Sequence, residues 1–279
     1  MSGAETLNPQ SVTPQRRTPH DLNPQDRALP GWLRVVAPIA VGVIGLALWV
    51  LYVDVLGAAP RMLPSPAAIG AALLEHSDII REDMATTAFN AFVGLLAGSI
   101  FGIVLAGFAA SMKAFDGMVA PLVSAIAVVP IVALTPILNT MFGASSQFGR
   151  QAVAALAAFI PVFITALRGL RQTRPVHRDV LRASAATRAQ TFRLLTFPTA
   201  LPYIMTGIRI AASAAVIAAL VAEYFGGPSD GIGTSIATYA KSGRAALAWA
   251  YVFGGILIGL VFFLVTSLLE RLATRRSPV

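Results

Sequence analysis

The sequence predicts an all-α polytopic membrane protein with about six transmembrane helices and both termini in the cytoplasm. Three observations predict it. Of 279 residues 56% are apolar and only 12% are charged, with a mean hydropathy of +0.72, whereas soluble domains carry about 25% charge. Apolar runs long enough to cross ~30 Å of hydrocarbon at ~1.5 Å per residue recur along the chain. Lys and Arg gather in alternate connections, as the positive-inside rule requires. The same distribution argues against nucleic acid as a partner, although the net charge is +8 and the pI about 10.8. With no cysteine, the chain forms no disulfide, thiolate nucleophile or Cys metal site.

Residues 1–30 are rich in Pro, Gln, Asn, Thr and Arg. They offer too little apolar surface to offset ordering entropy, which predicts a disordered cytoplasmic tail; no cleavage site marks it as a secretory signal. Residues 31–279 then form one transmembrane domain, its core about 85–270. The first span is about Leu33–Val53. Asp54–Asp83 follows, with three prolines, a short amphipathic stretch and five acids against Arg61 and Arg81. The second span, about Ala85–Ala110, is lined with Gly94, Gly98, Gly102 and Gly107, small residues that let membrane helices approach closely.

The third span, about Val119–Phe142, holds Pro121, Pro130 and Pro136; prolines kink membrane helices and free backbone carbonyls. A fourth, about Ala152–Leu167, ends at Arg168. The fifth is about Leu201–Val221. Gly226–Ala246 is Gly- and Ser-rich and is expected outside the bilayer as a shallow re-entrant helix. The sixth span is about Leu247–Leu269.

With the N-terminus inside, the cytoplasmic cations are Arg16, Arg17, Arg27, Arg34, Lys113, the seven arginines from Arg168 to Arg193, and Arg271, Arg275 and Arg276. The external set is only Arg61, Arg81, Arg150, Lys241 and Arg244. That threefold bias places the 170–198 loop in the cytoplasm.

Within that loop, PVHRDVLRASAATRAQTFRLLTFPTALP at 175–202 reads as two short helices and a hinge. Pro175 suits a first helical turn, where its missing N–H costs nothing, and that helix runs to about Ser184. Thr187 with Gln190 is a capping box that starts a second helix at Arg188. Pro198 is expected to end it, because proline disfavours helical geometry in the preceding residue. Ala189, Phe192 and Leu195 share a face of this helix.

The spacing resembles the cytoplasmic Glu-Ala-Ala loop of ABC-importer permeases: Glu-Ala-Ala, three residues, Gly, nine residues, Ile-x-Leu-Pro. Anchored on Pro198, the pattern puts Leu195 at the Ile position, Phe197 at the Leu, Ala185 at the Gly and Asp179-Val180-Leu181 at Glu-Ala-Ala. The acid is thus shortened and the glycine is alanine. The run from Ala183 to Gly226, and LPSPAAIGAAL at 63–73, are similar to permeases of nitrate-, sulfonate- and taurine-type importers, and the resemblance covers about residues 45–275. It implies a type I permease fold, a second permease chain (usually identical), separate cytoplasmic ATPase chains carrying ATP and Mg, an external solute-binding protein, and a bacterial inner membrane. The loop would dock in the ATPase, with Ala183, Ser184, Ala185, Ala186 and Thr187 at the contact, Asp179 and Arg182 adding polar contacts, and Phe192 and Pro198 setting the second helix.

The residues agree that any ATPase is another chain. A phosphate-binding loop needs GxxxxGK[ST], and the only lysines, Lys113 and Lys241, lack the preceding glycine. His20, His76 and His177 all lie outside the spans, so no enzyme and no metal site is expected, and no cofactor in this chain. Polar groups within spans are site candidates. Arg209 lies roughly 12 Å into span five at helical rise, and Glu223, fourteen residues on, returns to nearly the same face. Both are expected to look onto one translocation seam, with Asn90 and Asn139, and also Ser124 and Thr135, along the path. The alternative, a stand-alone secondary transporter or channel, would want midplane charge relays or repeated broken helices, and the chain has no internal repeat.

Overall fold

The computed structural model describes residues 31–55, 57, 63–143 and 145–275. The expected 1–30 tail and Arg276 lie outside these residues. Every regular element among them is helical. Helix α1 (Gly31–Val50) runs into a widened π-type turn at Leu51–Val55. Helix α2 (Pro66–Glu75) is capped by Ser65, whose hydroxyl accepts from the Ala68 N–H at 3.2 Å, with Pro66 preset in the first turn. Helix α3 (Ser77–Ser111) is the longest, and α4 (Lys113–Val128), α5 (Ile131–Phe142) and α6 (Phe148–Arg171) follow. Then come α7 (Pro175–Ala183), α8 (Arg188–Thr191), α9 (Phe197–Tyr224), α10 (Ile232–Lys241) and α11 (Ala245–Thr274).

Among the described residues, five helical segments, containing α1, α3, α6, α9 and α11, are long and apolar enough to cross a membrane, and the α4–α5 pair makes a sixth if counted as one span. Leu, Ile, Val and Phe side chains stand exposed along these helices, as lipid-facing surfaces require. Position in the bundle differs sharply: 56% of the α6 window is buried, against 6% in α1. So α6 is the central post and α1 a peripheral strut.

The core is built from small residues. Helices α3, α6 and α9 pack together through Ala91, Leu95, Ala154, Ala158, Val162, Ala211, Ala212 and Ala215, all buried. Gly98 and Gly102 lie flat against α6: a Cβ on Gly102 would sit 3.1 Å from the Phe159 carbonyl, and one on Gly98 2.9 Å from Ala158 Cβ. Without a hydrophobic driving force between helices in lipid, such close backbone approach is what holds the bundle. Gly107 differs from the sequence expectation, since a Cβ there would meet nothing within 4 Å.

Two prolines behave differently from expectation. The third span is not one kinked helix: α4 and α5 are bent apart by 102°, with Pro130 at the break. Lacking an N–H and clashing with the carbonyl four residues back, proline favours such a break. Pro198, by contrast, ends nothing. A π-type turn at Phe192–Thr196 shifts the register so that the Phe197 N–H bonds the Phe192 carbonyl, and Pro198 enters the first turn of α9. The second short helix of the loop is therefore continuous with a membrane-spanning helix. The Gly- and Ser-rich 226–246 segment contains α10, which packs on α9 and α11.

Candidate functional site

At the end of the bundle where α6 finishes, Arg168 and Arg171 occupy its last turn, placing cations at the negative pole of the helix dipole. The chain then projects the α7–α8 hairpin, in which no residue of either helix is buried. Asp179 and Arg182 pair at 3.5 Å on its exposed surface, an arrangement of little energetic weight. Helix α7 stops in a Schellman turn: Ala186 N–H bonds the Leu181 carbonyl and Ala185 N–H the Arg182 carbonyl, both at 3.0 Å.

That turn puts Ala185 at φ 53°, the sole non-glycine residue with positive φ among those described. A left-handed residue at this position favours glycine, and Ala185 is where the resemblance aligns a glycine. Ala183 and Ser184 are exposed before it, and Ala186 is half-buried after it. Thr187 and Gln190 form the full capping box, with Thr187 N–H donating to Gln190 Oε1 at 2.8 Å. Phe192 is half exposed, with its ring 6.1 Å from that of Phe197. Pro198 is half-buried in the first turn of α9.

The opposite end of the bundle holds a connected polar network. Its centre is the N-terminus of α10, whose first N–H groups have no helical partners. Gly231 N–H donates to Asp83 Oδ1 at 2.9 Å, Ile232 N–H to Thr87 Oγ1 at 2.9 Å, and Gly233 N–H to Glu223 Oε2 at 3.0 Å. Two carboxylates at a positive helix end are electrostatically apt. Ser235 donates to Asp83 at 2.6 Å and Thr87 to Glu223 at 2.7 Å. Asn90 reaches Gln147 at 2.9 Å and Glu223 at 3.5 Å. The network ties α3, α9 and α10 into one unit.

Arg150 extends the network to α6. It was expected in an external connection, yet its side chain is 0% exposed. It donates to Asp230 Oδ1 at 2.9 Å, to the Asp230 carbonyl at 3.0 Å, to Thr234 Oγ1 at 3.0 Å and to the Pro228 carbonyl. Gln147 donates to both Asp230 oxygens, at 3.1 and 2.9 Å. A buried guanidinium needs this number of acceptors to offset its lost hydration. Gly227, at φ 105°, lets the 226–228 turn close over Arg150; a Cβ there would stand 3.1 Å from Nε. Sequence reasoning missed Arg150, Asp230 and Asp83, whose only signal was a charge beside an apolar run.

Glu223 and Asn90 thus come together, whereas Asn139, on α5, is buried against Gly149 and the 226–227 turn. Arg209 does not join them. Its Nε lies 3.1 Å from Glu270 Oε2 on α11, and Thr206 donates to the same carboxylate at 2.6 Å. Arg209 and Glu223 are thus held by different neighbours, Arg209 by Glu270 of α11 and Glu223 by Thr87 of α3 and the Gly233 N–H.

Comparison with known proteins gives a consistent picture. Residues 98–277 match the family model described as "Binding-protein-dependent transport system inner membrane component". The chain is 30% identical over 189 residues to the formylaminopyrimidine transport permease protein ThiX of Halalkalibacterium halodurans, covering 67% of this chain and 74% of that one. It is 26% identical over 246 residues to the riboflavin transport system permease protein RibX of Chloroflexus aurantiacus, covering 88% and 91%. It is also 26% identical over 252 residues to the putative aliphatic sulfonates transport permease protein SsuC of Bacillus subtilis, covering 88% and 87%.

Proposed function

This chain belongs to the family of binding-protein-dependent transport system inner membrane components, and from that premise we propose how its two ends divide the work of an importer. As a multi-pass permease it carries solute and performs no bond chemistry. The hairpin end is the cytoplasmic end, supported by the arginine bias of the 168–193 segment. There the α7–α8 hairpin docks on a separate ATPase, which holds the ATP and Mg.

The observation that carries this reading is the rigid attachment of the hairpin. Helix α8 passes through the π-type turn into α9 without a loop, so a displacement of the hairpin moves a transmembrane helix. Exposed Asp179, Arg182, Ala183, Ser184, Ala185 and Thr187, with half-buried Ala186, form the contact. Phe192 and Pro198 brace the second arm. A second copy of the chain completes the path, and an external binding protein delivers solute at the network end.

Glu223 and Asn90 act in this scheme by fixing α10 to α3 and α9, and Arg209 by tying α9 to α11. The names of the relatives support a small solute of the heterocyclic or alkylsulfonate kind.

The test is co-purification. The tagged chain is expressed with its neighbouring transport genes and extracted in mild detergent. Recovery of an ATPase in one-to-one ratio, lost on Ala185→Arg, supports the scheme. A chain that purifies alone and still transports refutes it and favours a secondary transporter.

A further inference from the structure

Where the hairpin meets the bundle, a groove of about 520 Å³ opens between the end of α3 and the α7–α8 hairpin. Its composition is two-sided. The floor is apolar, formed by Val104 and Phe108 of α3 and by Phe192. The rim carries Arg178 and Arg188, and Thr196 also lines the groove. Both arginines are exposed. The nearest acid on the hairpin, Asp179, is engaged with Arg182.

The floor continues into the lipid-facing surface. Val104 is 50% exposed and Phe108 55%, and one turn back Ile100 and Phe101 are 56% and 61% exposed. At helical spacing these residues make a continuous apolar track up α3. Gly107 leaves room in the groove, since a Cβ there meets nothing within 4 Å. A soluble anion would use the rim and leave the track bare. A neutral lipid would use the track and leave two unneutralised guanidiniums at its head.

From this arrangement we infer that the groove is a binding site for an anionic phospholipid, its phosphate held by Arg178 and Arg188 and one acyl chain laid along Val104 and Phe101. The ligand is complementary to both halves at once, and guanidiniums are the side chains best suited to phosphate. Basic recesses at the membrane end of helices are a recognised headgroup geometry. Because Phe192 and Arg188 belong to the hairpin while Val104 belongs to α3, a bound lipid would join hairpin and bundle. The inference rests on the membrane fold and does not depend on the ATPase contact.

The test uses the full-length chain purified in a neutral detergent, with phosphatidylglycerol or phosphatidylcholine added and retained lipid counted by native mass spectrometry. Phosphatidylglycerol should be retained in preference, and R178Q/R188Q should lower its retention on the order of tenfold. R174Q/R193Q removes the same charge from the same hairpin outside the groove and should leave retention unchanged. Gly107→Leu fills the groove without touching the arginines and should lower retention at an unchanged melting temperature.

Equal retention of the two lipids, or equal loss with both arginine pairs, would overturn the site. Competition by inorganic phosphate would assign the rim to a free anion. Loss of the lipid whenever an ATPase subunit binds would assign the groove to a protein interface. Either result also overturns the inference.

Discussion

Arg150 meets Asp230 at 2.9 Å with the arginine side chain wholly buried and the aspartate 45% exposed. The two partners are therefore unequal. Removing the aspartate charge leaves a guanidinium stranded in the bundle, whereas removing the arginine leaves a carboxylate that water reaches and Gln147 still binds. Asp230→Asn should then destabilise by about 3 kcal/mol, and Arg150→Met by less. The double variant should recover part of the Asp230→Asn loss, because no buried guanidinium is left without its aspartate. Thermal unfolding of the purified chain measures all three. A double variant less stable than either single one would show that the pair matters through something other than charge burial.

Glu223 is the hub of the same network, accepting from Thr87 and from the Gly233 N–H. Glu223→Gln keeps the shape but can present an NH2 group to one of these donors, costing about 1.5–3 kcal/mol for a charge-assisted bond. The expected consequence is loosening of α10. Amide hydrogen exchange should accelerate at Gly231, Ile232 and Gly233 and stay unchanged in the α7–α8 hairpin at the far end. Uniform acceleration throughout would mean that the glutamate holds the whole bundle rather than this one helix.

Ala185 sits at φ 53°, a conformation that costs an L-residue roughly 1–2 kcal/mol. Ala185→Gly should relieve that strain, offset in part by the freer unfolded chain, and raise hairpin stability by about 0.5–1 kcal/mol. Ala185→Val, β-branched at positive φ, should unravel the Schellman turn. Limited proteolysis between residues 182 and 188 reads both directly: slower cutting for glycine, faster for valine, with the membrane bundle intact. Identical cleavage in all three proteins would sever the link between this φ and the hairpin's order.

How far the fold could be read in advance depended on the range of the interaction. The hairpin was legible because its signals are local: Pro175 opens α7 and the Thr187–Gln190 box opens α8, within four residues of each other in the latter case. The membrane-spanning runs were legible because lipid imposes a length. Pro130 and Pro198 carry the same local signal, yet one breaks a span and the other is absorbed by a π-type turn, a choice made by packing. Arg150 and its acceptor Asp230 lie 80 residues apart, and Asp83 and Gly231 lie 148 apart. Periodicity assigns a face to each such residue but cannot say which helix stands opposite, and for that reason the Arg209 partner on α11, Glu270, was not foreseen.

Gly98 and Gly107 lie nine residues apart on one helix and look interchangeable in the sequence, but their surroundings differ. A Cβ on Gly98 would stand 2.9 Å from Ala158 Cβ and 3.0 Å from the Phe159 backbone nitrogen, while one on Gly107 meets open space. Backbone atoms of α6 cannot swing aside as a flexible side chain could, so Gly98→Val must push α3 off α6. That movement costs the dispersion contacts of the whole interface, since a gap of ~0.5–1 Å already forfeits a quarter to a half of each contact. The expected loss is at least the ~1–3 kcal/mol of an ordinary overpacked core, seen as a lower melting temperature and poor recovery from the membrane. Gly107→Val should be tolerated on both measures, and its better helix propensity than glycine should leave α3 no less helical by circular dichroism. If the two valine variants behave alike, close approach at Gly98 is not what joins α3 to α6.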